Sequence, residues 1–175
     1  MRRAVFLDRD GVVLRSIERD GKPFAPTKAD QFEILPGVEQ AVARLKQAGF
    51  VTVLVTNQPD VGRGTLDQAI VEGMHDRLQA VLALDEVKVS YTASDDEGCQ
   101  RRKPAPGMLL EAARRFDIDL GRSYMVGDRW RDVEAGKAAG CVTIFIDHGY
   151  QERQPSDFDL KVSDLPEAVS FILAN

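Results

Sequence analysis

The stretch "FLDRDGVV", residues 6–13, decides how this chain is read. Phe6 and Leu7 continue an apolar run, then Asp8 and Asp10 appear two positions apart and Gly11 follows. In an extended segment, side chains two apart project to the same side. A buried strand would thus end by aiming two carboxylates in one direction, with a glycine placed to turn the chain away. Taken alone, aspartate and glycine after a strand are ordinary turn residues. The rest of the chain decides between a turn and a site.

Outward from this stretch, short β-branched runs alternate with helical patterns. "AVFLD" (4–8) reads as a first strand. "PGVEQAVARLKQAG" spaces Val38, Ala41, Val42 and Leu45 as one helical face closed by Gly49. Strands are expected at 50–57, 87–93, 123–128 and 141–147, and helices at 65–83, 106–117, 132–140 and 164–175. Thr65 is the expected N-cap of the 65–83 helix, with Leu66, Ile70, Met74, Leu78 and Leu82 along one face. Such alternation implies right-handed crossovers and a three-layer, doubly wound α/β fold, a parallel sheet with helices on both faces. No repeat or linker divides the chain, so residues 1–175 are expected to form one domain.

Bulk composition narrows the function. At 175 residues, 43% hydrophobic and 29% charged, the chain fits a globular protein with one sizeable core. A formal net charge of −5 argues against general nucleic-acid binding, though not against a small anion held by a local basic cluster. No apolar run reaches the length of a membrane span, and the N-terminus lacks the pattern of a signal peptide. Two cysteines, Cys99 and Cys141, give no disulfide framework and suit a reducing cytoplasm.

In a sheet of this kind ligands bind beyond the carboxyl ends of the strands, so the residues standing there matter most. They are Asp8 and Asp10, then Thr56 and Asn57, then Asp128 with Asp132 one helical turn on; "RRKPAPGM" adds Arg101, Arg102 and Lys103. Each cluster alone is ordinary loop chemistry. Together, in order and each at a strand end, they suit phosphoryl transfer. Asp8 can attack phosphorus to form an aspartyl-phosphate, and Asp10 can donate and then accept a proton. Convergent aspartates would repel an anionic substrate unless a cation intervened, and oxygen-only ligands favour Mg²⁺. Lys103 and Thr56 would stabilise the phosphoryl oxygens.

"FLDRDGVV", "VLVTNQ", "RRKPAPGM" and "YMVGDRWRD" also resemble the four motifs of the haloacid dehalogenase superfamily of aspartate-nucleophile phosphatases. The wording is most similar to the small branch of heptose bisphosphate phosphatases and histidinol-phosphatases. The resemblance implies a Mg²⁺-dependent phosphomonoester hydrolase acting on a phosphorylated sugar or similar metabolite, with a heptose bisphosphate the first substrate to try. It implies Asp8 as nucleophile, Asp10 as acid/base, and metal binding by Asp8, the Asp10 carbonyl and Asp128. Thr56 and Lys103 would hold the phosphoryl group, Asn57, Arg102 and Arg129 would meet the substrate, and Asp132 would organise the shell. Histidinol phosphate, a nucleic-acid end and a non-catalytic binding module are the alternatives. The acidic charge counts against nucleic acid, and the presence of both aspartates counts against the retired scaffold.

The branch pattern fails in two places. A zinc loop usually precedes the Arg-Lys-Pro motif, but here Thr92, Ser94 and Arg101 stand at ligand positions and only Cys99 matches. One thiolate cannot build a four-coordinate site, so no zinc is expected. The acidic "SDDE" beside "RR" would give this loop a different surface. Residues 14–34 match the branch poorly and read as a hairpin or flap at the pocket mouth, with Asp20-Gly21 as its turn. Without a separate cap domain the site should be open on one side, in a monomer or small homo-oligomer. Arg63 matches a basic position or is a solvated charge, His75 is expected on a helix surface, and His148 follows a strand near the rim. Trp130 either packs on the rim or faces a substrate ring.

Overall fold

The computed structural model describes residues 1–94 and 99–175. In chain order it begins with β1 (Ala4–Leu7), a hairpin of β2 (Ile17–Arg19) and β3 (Lys22–Phe24), and α1 (Val38–Gln47). There follow β4 (Val51–Asn57), the one-turn α2 (Pro59–Gly62), α3 (Gln68–Leu82) and β5 (Glu86–Ser90). The second half runs α4 (Gly107–Phe116), β6 (Tyr124–Gly127), α5 (Trp130–Ala139), β7 (Val142–Ile146), β8 (Leu160–Val162) and α6 (Leu165–Ala174).

The six-stranded sheet has the order β5-β4-β1-β6-β7-β8 with every neighbouring pair parallel. The strand period of two splits β1 between two cores. Val5 and Leu7 pack with α1, α6 and the end of α3, whereas Ala4 and Phe6 pack with α4 and α5. These are the three layers of a doubly wound sheet. The chain moves outward from β1 through β4 to β5, then returns to the other side of β1 to build β6, β7 and β8. That reversal opens a crevice beside the carboxyl end of β1, where such folds hold ligands.

Several details depart from the sequence reading. Asp67, not Thr65, caps α3, accepting the Ala69 N–H at 2.9 Å. Thr65 instead donates its hydroxyl to the Asp60 carbonyl at 3.1 Å, because the turn of α2 brings that carbonyl beneath it. α5 begins at Trp130, two residues early, with the Asp132 carboxylate accepting the Arg129 N–H. β8 was not anticipated; it is a short, half-exposed edge strand with little periodicity to reveal it. His75 is buried, not on the surface, because α3 packs that side against Arg9.

Residues 14–34 contain the antiparallel β2–β3 hairpin, pairing Ile17 with Phe24 and Arg19 with Lys22. Asp20 and Gly21 both take positive φ, the backbone of a tight two-residue turn. Among the described residues no helix is long and apolar enough to cross a membrane.

Candidate active site

Strand register assembles the floor of the site. Leu7 pairs with Leu54 on one side and Val126 on the other, so the next residue, Asp8, emerges between the ends of β4 and β6. The Asp8 N–H donates to the Val126 carbonyl at 3.0 Å, which brings Asp8 beside Asp128. Carboxylate oxygens of Asp8, Asp128 and Asp132 lie within 4.8 Å of one another, and all three residues are buried.

Two glycines make this convergence possible. A Cβ on Gly127 would stand 2.1 Å from the Asp132 Cβ. A Cβ on Gly11 would stand 1.9 Å from Asp128 Oδ2, and Gly11 also has φ of +83°. Each glycine occupies a place that a larger residue could fill only by expelling a carboxylate.

Lys103 reaches into the cluster from the segment before α4. Its Nζ donates to Asp8 Oδ1 at 2.7 Å, Asp132 Oδ1 at 2.6 Å and the Val55 carbonyl at 2.8 Å. Burial opposes its charge, but Asp132 and Asp8 outweigh burial and raise its pKa above the usual lysine value. The floor therefore carries three acids against one fixed ammonium. Burial, Asp132 and Asp10 push the Asp8 carboxyl up to about 6, against the pull of Lys103. Burial and the neighbouring Asp8 and Asp132 push Asp128 well above the ordinary carboxylate range.

The donors separate Asp132 from Asp128. Asp132 has both oxygens engaged, Oδ1 by Lys103 and Oδ2 by the Arg129 N–H at 3.1 Å. Among the described residues, both oxygens of Asp128 are buried without a hydrogen-bond partner. An uncompensated buried carboxylate is costly, and a cation removes that cost. A hard divalent ion fits this all-oxygen set, with Asp8 and Asp128 the side chains open to it.

The remaining sequence candidates surround this floor. Asn57 donates its amide to the Lys103 carbonyl at 2.9 Å and accepts the Lys103 N–H at 3.0 Å, fixing the backbone that carries the lysine. Thr56 is buried, its hydroxyl accepting from Gln58 Nε2 at 2.9 Å. The same Gln58 nitrogen lies 2.9 Å from Asp10 Oδ2. Arg102 donates to the Thr92 carbonyl at 2.9 Å and still reaches the cavity. Arg129 makes a two-pronged pair with Glu152, at 2.8 and 2.5 Å, which outweighs its burial and raises its pKa further.

Above the floor opens a cavity of about 470 Å³. Asp8, Asp10 and Lys103 line its depth; Lys22, Phe24, Arg63, Arg102, Arg129 and Arg131 line its walls. Lys22 and Phe24 come from the hairpin, so residues 14–34 form part of the wall. Trp130 is not among the residues lining the cavity; its ring lies under the guanidinium of Arg131 at 4.4 Å and that of Arg153 at 4.0 Å.

Residues 148–152 form a further segment beside the site that the sequence left almost unmarked. His148 donates Nε2–H to the Gly11 carbonyl at 2.7 Å, and Tyr150 lies beside Asp128. The Gln151 N–H donates to the Gly21 carbonyl at 2.8 Å, and Glu152 holds Arg129. No motif marks this stretch, and only the position of His148 hinted at it.

The loop before Lys103 has its own arrangement. Cys99 Sγ lies 3.1 Å from Thr92 Oγ1, and Arg101 pairs with Glu111 at 3.1 Å. The acidic run noted in the sequence falls mostly on residues 95–97, outside the described residues.

Comparison with known proteins agrees with this geometry. The family description "haloacid dehalogenase-like hydrolase" matches residues 25–140. A D-glycero-beta-D-manno-heptose-1,7-bisphosphate 7-phosphatase of Bordetella bronchiseptica is 40% identical over 150 residues, covering 83% of this chain and 80% of that protein. The enzyme of the same name from Escherichia coli K12 is 33% identical over 183 residues, covering 95% and 93%. A crystal structure of D,D-heptose 1,7-bisphosphate phosphatase from B. bronchiseptica, complexed with magnesium and phosphate, superposes with a TM-score of 0.79 at 33% identity, covering 98% of each chain. With strand ends, spacing and relatives in agreement, the chain belongs to the haloacid dehalogenase-like hydrolase family.

Proposed function

We propose that this hydrolase removes a phosphoryl group from a phosphorylated sugar through an aspartyl-phosphate on Asp8, and that the sugar is D-glycero-D-manno-heptose 1,7-bisphosphate. One observation carries the reading: buried Asp8 and Asp128, beyond neighbouring strand ends, converge in one carboxylate cluster whose Asp8 is paired with Lys103. The names of the relatives supply the substrate to try first.

Asp8, Asp128 and the Asp10 carbonyl are the groups that would hold Mg²⁺. When bound, Mg²⁺ supplies the positive charge that lets an anionic ester approach these carboxylates. Lys103 holds Asp8 Oδ1 and leaves Oδ2 to bond to phosphorus as the ester P–O bond breaks. Asp10 protonates the departing oxygen, then takes a proton from the water that attacks the aspartyl-phosphate. Phosphate leaves and the Asp8 carboxylate is restored. Arg63, Arg102 and Arg131 on the wall suit a second phosphate on the substrate and disfavour the ammonium group of histidinol phosphate.

We infer further that the protein carries no zinc staple, since Cys99 is paired with a hydroxyl and Arg101 points to Glu111. Free Cys99 and Cys141 suit a cytoplasmic enzyme. The test is phosphate release from the heptose bisphosphate with Mg²⁺, beside Asp8→Asn. The variant is expected to lose activity by at least about 10⁴-fold, the scale seen when a catalytic nucleophile is removed. Hydrolysis that survives both chelation and Asp8→Asn overturns the mechanism.

A further inference from the structure

Arg9 is the largest fully buried side chain among the described residues, and the proposed chemistry gives it no task. A guanidinium has five N–H donors and no acceptor, and it stays charged. Burying one is costly unless each edge of the fork finds a partner. Here Nε donates to Asp10 Oδ1 at 2.9 Å and Nη2 donates to Asp10 Oδ2 at 3.1 Å. Nη1 lies 3.2 Å from His75 Nε2. Since arginine can only donate, His75 must accept through an unprotonated Nε2, which requires a neutral ring. Burial and the adjacent Arg9 charge favour that state, lowering the His75 pKa to about 4. Gln58 adds a further donor on Asp10 Oδ2 at 2.9 Å.

We propose that Arg9, braced from behind by His75, is the positioning residue that fixes the Asp10 carboxyl for proton transfer. The inference rests on the reading of Asp10 as acid and base. A two-pronged pair restrains both rotation and tilt of a carboxyl, which a single ammonium cannot do. α3 thereby takes part in the chemistry although none of its residues lines the cavity. Proton delivery matters most when the departing oxygen is strongly basic, as in an alkyl ester, and least for an aryl phosphate.

The experiment compares hydrolysis of a sugar phosphate and of p-nitrophenyl phosphate, with Mg²⁺, by wild type and Arg9→Lys. Arg9→Lys is expected to lower kcat on the sugar ester about 100-fold and on the aryl ester about 10-fold or less, with KM little changed. His75→Leu, which keeps Arg9 but removes its acceptor, is expected to show the same bias at smaller size. His75→Gln, whose amide oxygen can accept, is expected to restore the wild-type ratio. If Arg9→Lys does not fold, the two His75 variants decide the matter alone. Equal losses on both esters, or no rescue by glutamine, overturn this inference and leave the phosphatase reading standing. A wild-type protein inert toward both esters overturns that reading and this inference with it.

Discussion

The floor and the wall of the pocket are built on different principles. Asp8, Asp128, Asp132 and Lys103 are buried, and each is set by a strand end or by hydrogen bonds to one. The wall is half-open and basic, and its residues come from the hairpin, the α2 turn, the segment before α4, the start of α5 and Glu152. In the proposed reading, fixed acids below and cations on the wall separate the chemistry from the choice of substrate. Strain and desolvation are concentrated in the floor, so changes there should alter rate and stability together. Changes in the wall should alter affinity alone.

The sharpest way to break that contrast is Asp128→Asn. Activity should vanish, and the rise in melting temperature expected for the wild type on adding Mg²⁺ should vanish with it. Saturating a metal site at 100 times its Kd is worth about 2.7 kcal/mol, which a thermal melt resolves readily. Without Mg²⁺ the variant should be more stable than wild type by about 1–2 kcal/mol, since it replaces an unpartnered buried carboxylate with a neutral amide. A metal-free variant less stable than wild type would place the strain elsewhere.

Next comes Gly11→Ala, whose Cβ would collide with Asp128 Oδ2. Displacing a ligand by about 1 Å should cost on the order of 100-fold in kcat, with the far-ultraviolet dichroism unchanged. A fully active alanine variant would show that Asp128 can sit elsewhere.

A smaller effect concerns the support beneath Asp10. The folded pKa of His75, about 4, lies below the ordinary histidine value of 6.5. Between these values the unfolded chain binds more protons, so His75 contributes stability above pH 6.5 that is lost as the pH falls through the folded pKa. The loss should be about 2 kcal/mol after allowance for partial exposure. Asp8, raised to about 6, acts in the opposite sense, so the quantity to measure is the difference between wild type and His75→Gln. Their urea midpoints should converge from pH 7 to pH 4.5; parallel midpoints would mean His75 is not held neutral.

Smallest is the wall. Lys22→Ala should raise KM for a bisphosphorylated sugar a few-fold and leave kcat nearly unchanged, because an exposed cation meets substrate and transition state alike. A kcat effect equal to the KM effect would join wall to floor.

The same division governs what the sequence disclosed. Asp8, Asp128 and Lys103 were legible because apolar runs locate strand ends, and parallel register then places those ends side by side. The cap of α3 was misplaced by two residues, since local periodicity cannot see the α2 turn that occupies Thr65. His75 was misjudged because one polar residue on an amphipathic helix carries no sign of a buried arginine across the interface. Glu152 and Tyr150 lie in a segment without periodicity, and their roles exist only once β7 carries them back beside β1 and β6.

That segment, 148–152, touches the Gly11 turn, Asp128, the hairpin tip and Arg129 in five consecutive residues. A single inserted residue there would shift the register of all four attachments at once, while no catalytic side chain would be altered. Length variation at this joint is thus a route by which descendants of such a chain could reshape the mouth of the pocket and inherit its chemistry intact.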